Sequence, residues 1–261
     1  MKKKRATDLK RYDRFGWDYE SVSPANQDEV EWCIGHARQT GGPVLELASG
    51  TGRLLERLSM EGFECHGIEL SETMIDISLK RAWSHKDEIR DRIVLYKADI
   101  SNFKLSKSFG LICMVDNSFR ELVTLEAMSS CLLCCRAHLE EGGRLIVSER
   151  AFAPGMYKDG VFVTEWSEPV PEPFTSHLVS RKVESRLSGD GRSVAGAFLY
   201  RTVDPDGRES TESCSFEAPI LSVDDYLCLF EEAGFAASAV RGFGIEDDPA
   251  SEWLTFVCHP A

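Results

Sequence analysis

The sequence predicts a doubly wound α/β fold with an antiparallel β insertion after its fifth strand. Short apolar runs alternate with helical patterns between residues 26 and 149, a rhythm typical of βαβ units and a parallel sheet. Over residues 160–218 the helical period stops, and alternating runs with Gly-containing turns replace it, which predicts antiparallel hairpins. Helical and strand patterns return from residue 222, so the sheet is expected to resume after the insertion.

The elements of the first half follow from periodicity and capping residues. Helices are predicted over residues 26–39, 51–61 and 71–83, and strands over residues 44–48, 64–68, 93–96 and 109–115. Asn26 and Ser71 are the candidate N-caps of the first and third helices. In the third helix, the spacing places Met74, Ile75 and Leu79 on one apolar face. The fourth strand is nearly all apolar, as expected for a central strand covered on both faces.

The elements of the second half are predicted in the same way. A helical run from Leu122 to Leu139 is followed by Gly142-Gly143, which predicts a break before a fifth strand. The remaining predictions are that strand at 144–148, hairpin turns at 188–191 and 204–207, a helix from Ser222 to Ala233, and final strands near 236–240 and 253–258.

Composition limits the possible partners and compartment. The chain has 261 residues, 43% of them hydrophobic, and a net charge of −13, which argues against a nucleic-acid or anionic-membrane partner. No apolar run approaches the roughly 18–20 residues of a membrane span, and no apolar segment follows the basic N-terminus as in a signal peptide. The nine cysteines lack zinc-site spacing, so we expect no metal, and reduced buried thiols in a cytoplasmic protein.

The segment from Val44 to Leu55 carries the most functional information. An apolar run ends in an acidic residue and is followed by a turn of small residues and a helical pattern. Gly50 and Gly52 lack a Cβ, so the backbone can approach a ligand closely there. The Glu46 carboxylate can accept hydrogen bonds from a ribose or an amine, which favours a nucleoside-type cofactor.

Two known phosphate-binding loops, the dinucleotide fingerprint and the P-loop, do not agree with this segment. The dinucleotide fingerprint Gly-x-Gly-x-x-Gly lacks its third glycine here, because Leu55 stands in that place. Glu46 would also repel a pyrophosphate. A P-loop would end in Gly-Lys-Ser or Gly-Lys-Thr, and the segment has no such ending.

Acidic residues follow four predicted strands. They are Glu46, Glu69, Asp99 and Asp116. Ligands of open parallel sheets bind at the carboxyl ends of the strands, so these side chains are expected to meet at one edge. The ligand that suits them has a ribose and cationic groups and no phosphate. Asp99 as a cap and Asp116 as a turn former are the purely structural alternatives.

These motifs resemble those of class I S-adenosylmethionine-dependent methyltransferases. The family motif acidic-x-Gly-x-Gly-x-Gly is matched by residues 46–52, with Ala48 in place of the first glycine. The resemblance covers about residues 10–150 and implies a Rossmann-like seven-stranded mixed sheet. It also implies S-adenosyl-L-methionine as cofactor and S-adenosyl-L-homocysteine as product.

The resemblance also implies roles for individual residues. Glu46 and the loop of Ala48, Ser49, Gly50 and Gly52 hold the methionine part, and Glu69 binds the ribose hydroxyls. Leu70 and Met74 pack on the adenine, Asp99 and Ile100 read its edge, and Val115 and Asp116 line the methionine side. For Met74, a plain core position remains an alternative.

An aromatic segment near the N-terminus resembles the part of the family that folds over the cofactor. Tyr12, Trp17 and Tyr19 are expected to cover the sulfonium, because an aromatic face attracts a cation. A helix that simply docks on the domain is the alternative.

The acceptor is predicted from the segment after the fourth strand and from the insertion. Asn117-Ser118-Phe119 resembles a loop of glycine and sarcosine N-methyltransferases, and the insertion resembles that of sugar-amine N,N-dimethyltransferases. Members of those groups often carry His where Arg120 or Glu121 stands here. The candidate bases are Glu121, Glu149 and His177. The candidate substrate residues are Asn117, Arg120 and Arg150, and the guanidinium groups of the two arginines suit a carboxylate or phosphate.

The sequence therefore predicts methyl transfer to a small molecule, with N-methylation slightly preferred over O-methylation. The predicted parts are an N-terminal aromatic lid (1–25), a methyltransferase domain (26–150 and 219–261) and a β-rich insertion (151–218) that acts as a lid, substrate region or homodimer interface. The alternatives are a non-catalytic module that binds the cofactor or its product, and a nicotinamide-dependent oxidoreductase.

Overall fold

The computed structural model describes residues 10–172, 176–244 and 246–261 and divides the chain into two compact units. One unit, here called the β unit, combines Met1–Pro24 with Phe152–Ile220. The other, here called the α/β unit, combines Ala25–Ala151 with Leu221–Ala261. Helices and strands are numbered along the whole chain.

The α/β unit is built on a seven-stranded sheet. Its strands are β1 (Val44–Leu47), β2 (Cys65–Glu69), β3 (Ile93–Lys97), β4 (Phe109–Met114), β5 (Leu139–Arg150), β11 (Phe235–Arg241) and β12 (Trp253–Pro260). Their order is β11-β12-β5-β4-β1-β2-β3, in which β1 to β5 and β11 run in one direction and β12 runs antiparallel to both of its neighbours. The predicted doubly wound, mixed seven-stranded sheet is therefore confirmed.

Six helices of this unit are described. They are α2 (Gln27–Thr40), α3 (Arg53–Met60), α4 (Glu72–Trp83), α5 (Asp87–Arg90), α6 (Leu125–His138) and α7 (Val223–Glu232). Asn26 and Ser71 cap α2 and α4 as predicted, since their side chains accept hydrogen bonds from first-turn N–H groups. Ser222 and Asp225 form a reciprocal capping box at the start of α7.

The residues of the central strands alternate between two apolar cores. Leu45 and Leu47 pack in a core with α6 and α7, whereas Val44 packs in a core with α2 and α3. Side chains alternate along a strand, so Glu46 points to the same side as Val44. This alternation places the Glu46 carboxyl group on the side of α2 and α3.

Two predicted element boundaries were wrong. Helix α6 begins at Leu125 rather than near Leu122, because Ser118–Glu121 form a 3-10 turn and Thr124 caps α6. Strand β5 begins at Leu139, directly after α6, so Gly142-Gly143 lie within the strand. The register between β4 and β5 shifts there, which makes the glycine pair part of a bulge instead of a break.

The predicted apolar face of α4 was also partly wrong. Met74 is 3% exposed, but Leu79 is 42% exposed and faces away from the core. The buried face instead includes Ile77, Ser78 and Ala82. Of these residues, Ser78 lies against the loop before α3, where Gly52 approaches it closely.

The described part of the β unit contains one α-helix and a five-stranded sheet. Its elements are α1 (Lys10–Val22), β6 (Val161–Val163), β7 (Val170–Pro171), β8 (Leu178–Leu187), β9 (Ser193–Val203) and β10 (Glu209–Pro219). The strand order is β10-β9-β8-β6, and β7 also pairs with β8. All these pairs are antiparallel, which confirms the two predicted hairpins at 188–191 and 204–207.

A small core joins the helix of the β unit to its sheet. Val22 of α1 packs with Val179, Tyr200 and Cys214, one residue from each of β8, β9 and β10. All nine cysteines of the chain have free thiols, and Cys214 is one of the seven that are buried. No helix in the described part of the chain has the length and apolarity of a membrane span.

Candidate cofactor and acceptor site

The loop between β1 and α3 has the backbone that close ligand approach needs. Ala48, Gly50 and Gly52 have positive φ angles of 53°, 53° and 76°. Ala48 adopts this conformation at a cost of about 1 kcal/mol, where the related motif has glycine. A Cβ on Gly52 would lie 2.1 Å from Ser78 Oγ, so the α3–α4 approach requires glycine.

Three buried polar atoms of this segment lack partners. Within the described part of the chain, Glu46 Oε2, Ser49 Oγ and Thr51 Oγ1 have no hydrogen-bond partner. Glu46 is 5% exposed, and burial raises its pKa above the ordinary range, while Arg53 opposes the shift. Buried polar groups are nearly always satisfied, so these three atoms indicate a place for a polar ligand.

The Glu69 carboxylate holds two loops together. Its Oε2 accepts a hydrogen bond from the N–H of Gly50 at 2.9 Å. Its Oε1 accepts from the N–H groups of Leu70 and Ser71 at 2.8 and 2.9 Å. Burial raises the pKa of Glu69, and the nearby Glu121 carboxylate raises it further. A carboxylate offers about four acceptor sites, so one remains for a further donor.

The predicted adenine residues lie at the same edge of the sheet. Met74 and Ile100 are buried, and Leu70 is half-buried beside Glu69. Asp99 Oδ1 accepts hydrogen bonds from the Ser101 N–H and Oγ at 2.9 and 2.7 Å. Asp99 therefore caps the turn that follows β3, and its reading of the adenine edge stays a prediction.

Glu29, which the sequence did not single out, supports the turn after β4. Asp116 and Asn117 both have positive φ, 53° and 65°. The Asp116 N–H donates to Glu29 Oε1 and to Ser148 Oγ, both at 3.2 Å. Ser148 Oγ also donates to Glu29. Val115, which precedes the turn, is buried. Burial raises the pKa of Glu29 to about 7.

Arg53 interacts with the acidic residues of two segments, Glu46 at the end of β1 and the pair of Glu29 and Asp116 at the turn after β4. Its guanidinium lies 3.5 Å from the Asp116 carboxylate, and its charge lowers the pKa values of Glu46 and Glu29. The sequence did contain a signal for Arg53. A cation in the first turn of a helix opposes the helix dipole, so its placement at the start of α3 suggests another role. Glu29 had no such signal, because acids are ordinary in first turns.

The predicted substrate residues Asn117, Arg120 and Arg150 are brought together. Asn117 Oδ1 accepts from Arg120 Nη2 at 2.9 Å and from the Arg150 N–H at 2.7 Å. The Arg150 guanidinium pairs with Glu252 and lies 5.0 Å from the centroid of the Trp253 ring.

Glu149, a predicted candidate base, is fully buried and accepts hydrogen bonds from the turn that contains Phe119 and Arg120. Its Oε1 accepts from the Phe119 N–H at 3.1 Å, and its Oε2 accepts from Arg120 Nε at 2.8 Å. Burial raises the pKa of Glu149 to about 7, and the charge of Arg120 opposes the shift. Both carboxylate oxygens are thus engaged in supporting the loop.

Four predicted site residues belong to the β unit. Tyr12, Trp17 and Tyr19 lie on α1, where the rings of Tyr12 and Tyr19 meet edge to face with centroids 5.9 Å apart. His177 immediately precedes β8. Their predicted roles at the cofactor and acceptor stay predictions. Among the described residues, no group of three or more His, Cys, Asp or Glu side chains could hold a metal ion.

Sequence comparisons relate the chain to methyltransferases. Residues 44–143 match a family described as a methyltransferase domain. The chain is 28% identical over 201 residues to dTDP-4-amino-2,3,4,6-tetradeoxy-D-glucose N,N-dimethyltransferase of Saccharopolyspora spinosa, covering 76% of this chain and 73% of that protein. It is 29% identical over 152 residues to dTDP-3-amino-3,4,6-trideoxy-alpha-D-glucopyranose N,N-dimethyltransferase of Streptomyces venezuelae, covering 58% and 52% of the two chains.

Solved structures share the fold at lower identity. An S-adenosylmethionine-dependent methyltransferase from Clostridium acetobutylicum superposes with a TM-score of 0.76 at 17% identity, covering 96% of this chain and 99% of that one. An amino pentose methyltransferase of Micromonospora echinaspora with bound S-adenosylmethionine gives a TM-score of 0.69 at 21% identity, with 92% and 94% covered.

Proposed function

Because the chain is a class I S-adenosylmethionine-dependent methyltransferase, we propose that its acceptor is an amino group on a sugar. N-methylation is favoured by the sugar-amine N,N-dimethyltransferases among its relatives, and the amino sugar is carried over from their names. The structural observation that supports methyl transfer is the cluster of unpartnered polar atoms around Glu46 beside the glycine loop, which suits the cofactor, whereas the choice of acceptor rests on the relatives alone.

For the cofactor, we propose the following arrangement. Glu46, Ser49 and Thr51 supply hydrogen-bonding atoms to the methionine part, and Ala48, Gly50 and Gly52 let it approach the backbone. The remaining acceptor capacity of Glu69 serves a ribose hydroxyl. Leu70 and Met74 pack on the adenine, Asp99 and Ile100 border its edge, and Val115 and Asp116 line the methionine side. Tyr12, Trp17 and Tyr19 cover the sulfonium.

The cofactor, when bound, supplies an activated methyl group on a cationic sulfur. The protein's own contribution is positioning, because orientation can supply much of the acceleration of a displacement reaction. The turn of Asp116 and Asn117 is fixed by Glu29 and Ser148 on one side, and by the N–H of Arg150 on the other. We propose that this rigid turn presents Asn117 and Arg120 to the acceptor.

An amine acceptor must also lose a proton. Glu149 is less suited to this role than the sequence suggested, since both its oxygens already accept hydrogen bonds within a buried ion pair. We therefore propose Glu149 as a support for Arg120, and retain Glu121 and His177 as the candidate bases. Arg120 and Arg150 are proposed to meet an anionic group of the acceptor.

Calorimetry and turnover with a matched panel test this function. The purified chain is titrated with S-adenosylmethionine, S-adenosylhomocysteine and NAD, and is assayed with dTDP-linked amino sugars and their hydroxyl counterparts. We expect micromolar binding of the two adenosyl ligands, weakened at least tenfold by Glu69→Ala, and methylation of amines only. Methylation of the hydroxyl counterparts alone would assign O-methylation, and cofactor binding without transfer to any acceptor would favour a non-catalytic module.

We further propose a homodimer formed through the β unit. Strand β10 is an edge strand of eleven residues, and edge strands can pair with a second copy. Light scattering of the purified chain tests this, since a monomeric mass at micromolar concentration would contradict it. We also propose a cytoplasmic location, which the free cysteines support.

A further inference from the structure

Arg81, near the end of α4, forms hydrogen bonds with the loop that follows β1 and with α3. Its Nε donates to the main-chain carbonyl oxygen of Thr51 at 3.1 Å. Its Nη1 donates to Glu56 Oε2, in the first turn of α3, at 2.9 Å. The guanidinium group therefore joins the end of the loop to the helix that the loop leads into. The proposed function gives this residue no role.

Successive residues of the loop are held by different elements. The N–H groups of Ser49 and Gly50 donate at 3.0 and 2.9 Å to acceptors on β2, which is the neighbouring strand of the sheet. Thr51 is instead held by Arg81, which lies on a helix. The position of Thr51 therefore depends on how α4 packs.

The same face of α4 also contacts the residue after Thr51. Ser78 lies one helical turn before Arg81 and is buried. A Cβ on Gly52 would lie 2.1 Å from Ser78 Oγ, so the helix and the loop approach each other closely at this point. Ser78 and Arg81 thus place α4 against two consecutive residues of the loop.

Glu56 fixes the direction of the Arg81 guanidinium. The two side chains are 18% and 23% exposed, and the other carboxylate oxygen of Glu56 pairs with His85 Nε2. The N–H donors of a guanidinium group have fixed relative directions, so binding Nη1 to a carboxylate also orients Nε. A basic residue in the last turn of a helix stabilises the helix dipole, but that role needs no contact with the loop.

We propose that Arg81 is a positioning residue that holds Thr51 in the geometry that suits the methionine part of the cofactor. Thr51 is 2% exposed, and its Oγ1 has no hydrogen-bond partner among the residues that the structure describes. Fixing the Thr51 carbonyl group restricts the backbone on which this hydroxyl stands, so less ordering is needed when a ligand binds. This role rests on the proposed function, in which Thr51 contacts the methionine part.

Calorimetry on the full chain with two ligands tests this role. Arg81→Ala removes both hydrogen bonds, so we expect the Kd of S-adenosylhomocysteine to rise about tenfold. 5′-Methylthioadenosine has the nucleoside but lacks the amino-acid group, so its Kd should rise less than about threefold. Glu56→Ala leaves the donor to Thr51 in place but removes its support, and should raise the Kd of S-adenosylhomocysteine about threefold.

The matched control is Arg92→Ala. Arg92 Nη1 donates to the Ser59 carbonyl oxygen at 3.2 Å, in the last turn of α3. Its loss removes the same kind of hydrogen bond far along the helix from the loop. Arg92→Ala should therefore lower the free energy of unfolding, measured in urea, and leave both Kd values unchanged.

Three results would overturn the role of Arg81. They are an unchanged Kd of S-adenosylhomocysteine in Arg81→Ala, an equal rise in Arg92→Ala, and an equal rise for both ligands. If Arg81→Ala does not fold, Glu56→Ala decides the result by the same comparisons. A wild-type chain that binds neither ligand would refute the proposed cofactor arrangement together with this role, whereas wild-type binding with unchanged variants would refute this role alone.

Discussion

The buried carboxyl groups of Glu46 and Glu149 lie on two parallel strands separated by β4, yet their surroundings differ. Glu149 is fully buried, and both its oxygens accept hydrogen bonds from protein donors. Glu46 is 5% exposed, and its Oε2 accepts none within the described part of the chain. Burial raises the pKa of both. The difference separates a carboxyl group that supports the protein from one whose partner is expected to be a ligand.

The largest expected effect is the loss of stability when Glu149, the carboxyl group that supports the protein, is removed. Glu149→Ala leaves the Arg120 guanidinium without its buried partner, so the free energy of unfolding should fall by about 3 kcal/mol. Urea denaturation measures this change. The control is Glu252→Ala, which removes an exposed partner of Arg150 and should cost less than about 1 kcal/mol. Equal losses in the two variants would remove the distinction between the buried pair and the exposed pair.

A second prediction concerns the loop beside Glu46. Gly52→Ala adds a Cβ 2.1 Å from Ser78 Oγ at a positive φ, so we expect a loss of about 2 kcal/mol in stability and weaker cofactor binding. Gly62→Ala is the control, because Gly62 also has positive φ but no atom within 4 Å of the added Cβ. It should lose about 1 kcal/mol and leave cofactor affinity unchanged. Cofactor affinity that is equal in both variants would show that the α3–α4 approach does not shape the site.

Glu46→Gln tests the ligand side directly. The change removes a buried charge that lacks a full set of partners, so unfolding free energy should stay within about 0.5 kcal/mol or rise. Affinity for S-adenosylmethionine should fall about tenfold, equivalent to about 1.4 kcal/mol, when measured by calorimetry. Glu31→Gln, on the exposed side of α2, is the matched control. A large loss of stability with unchanged affinity would place Glu46 in the same class as Glu149.

The smallest expected effect is a pH dependence through Glu29. Burial raises its pKa from 4.5 to about 7, so the folded state binds more protons than the unfolded state between these values. The free energy of unfolding should therefore decrease as pH rises through this window, and Glu29→Gln should reduce the decrease by about 1 kcal/mol. Urea denaturation at pH 5 and pH 8 measures both. Parallel pH profiles in wild type and variant would contradict the raised pKa.

Much of the sheet could be predicted because its signals are local. Apolar runs, caps such as Ser71 and the acids that end strands are visible within a few residues of sequence. The start of β5 could not be predicted, since glycines normally end elements and only the pairing with β4 keeps Gly142-Gly143 in the strand. The prediction for Leu79 was wrong for a related reason, because the side of α4 that is buried depends on its packing, which places Ser78 beside Gly52 and leaves Leu79 exposed.

The residues of the candidate site also differ in whether a local sequence signal reveals them. Glu46 and Glu69 were found because a strand-end acid next to a glycine loop is a pattern in the sequence. Glu29 reaches the turn after β4 from 87 residues away along the chain, and such a contact has no local signature. The engagement of Glu149 by Phe119 and Arg120 was likewise invisible in the sequence, because it depends on the 3-10 turn that replaced the predicted start of α6.

The three hydrogen bonds that Glu69 accepts have a consequence for the thermodynamics of binding. They tie Gly50, in the loop after β1, to Leu70 and Ser71, at the start of the next crossover, through contacts within the protein itself. The conformational entropy of these segments is thus lost when the chain folds. A cofactor that arrives later meets a loop already in its binding geometry, so little of its interaction energy is spent on ordering the protein.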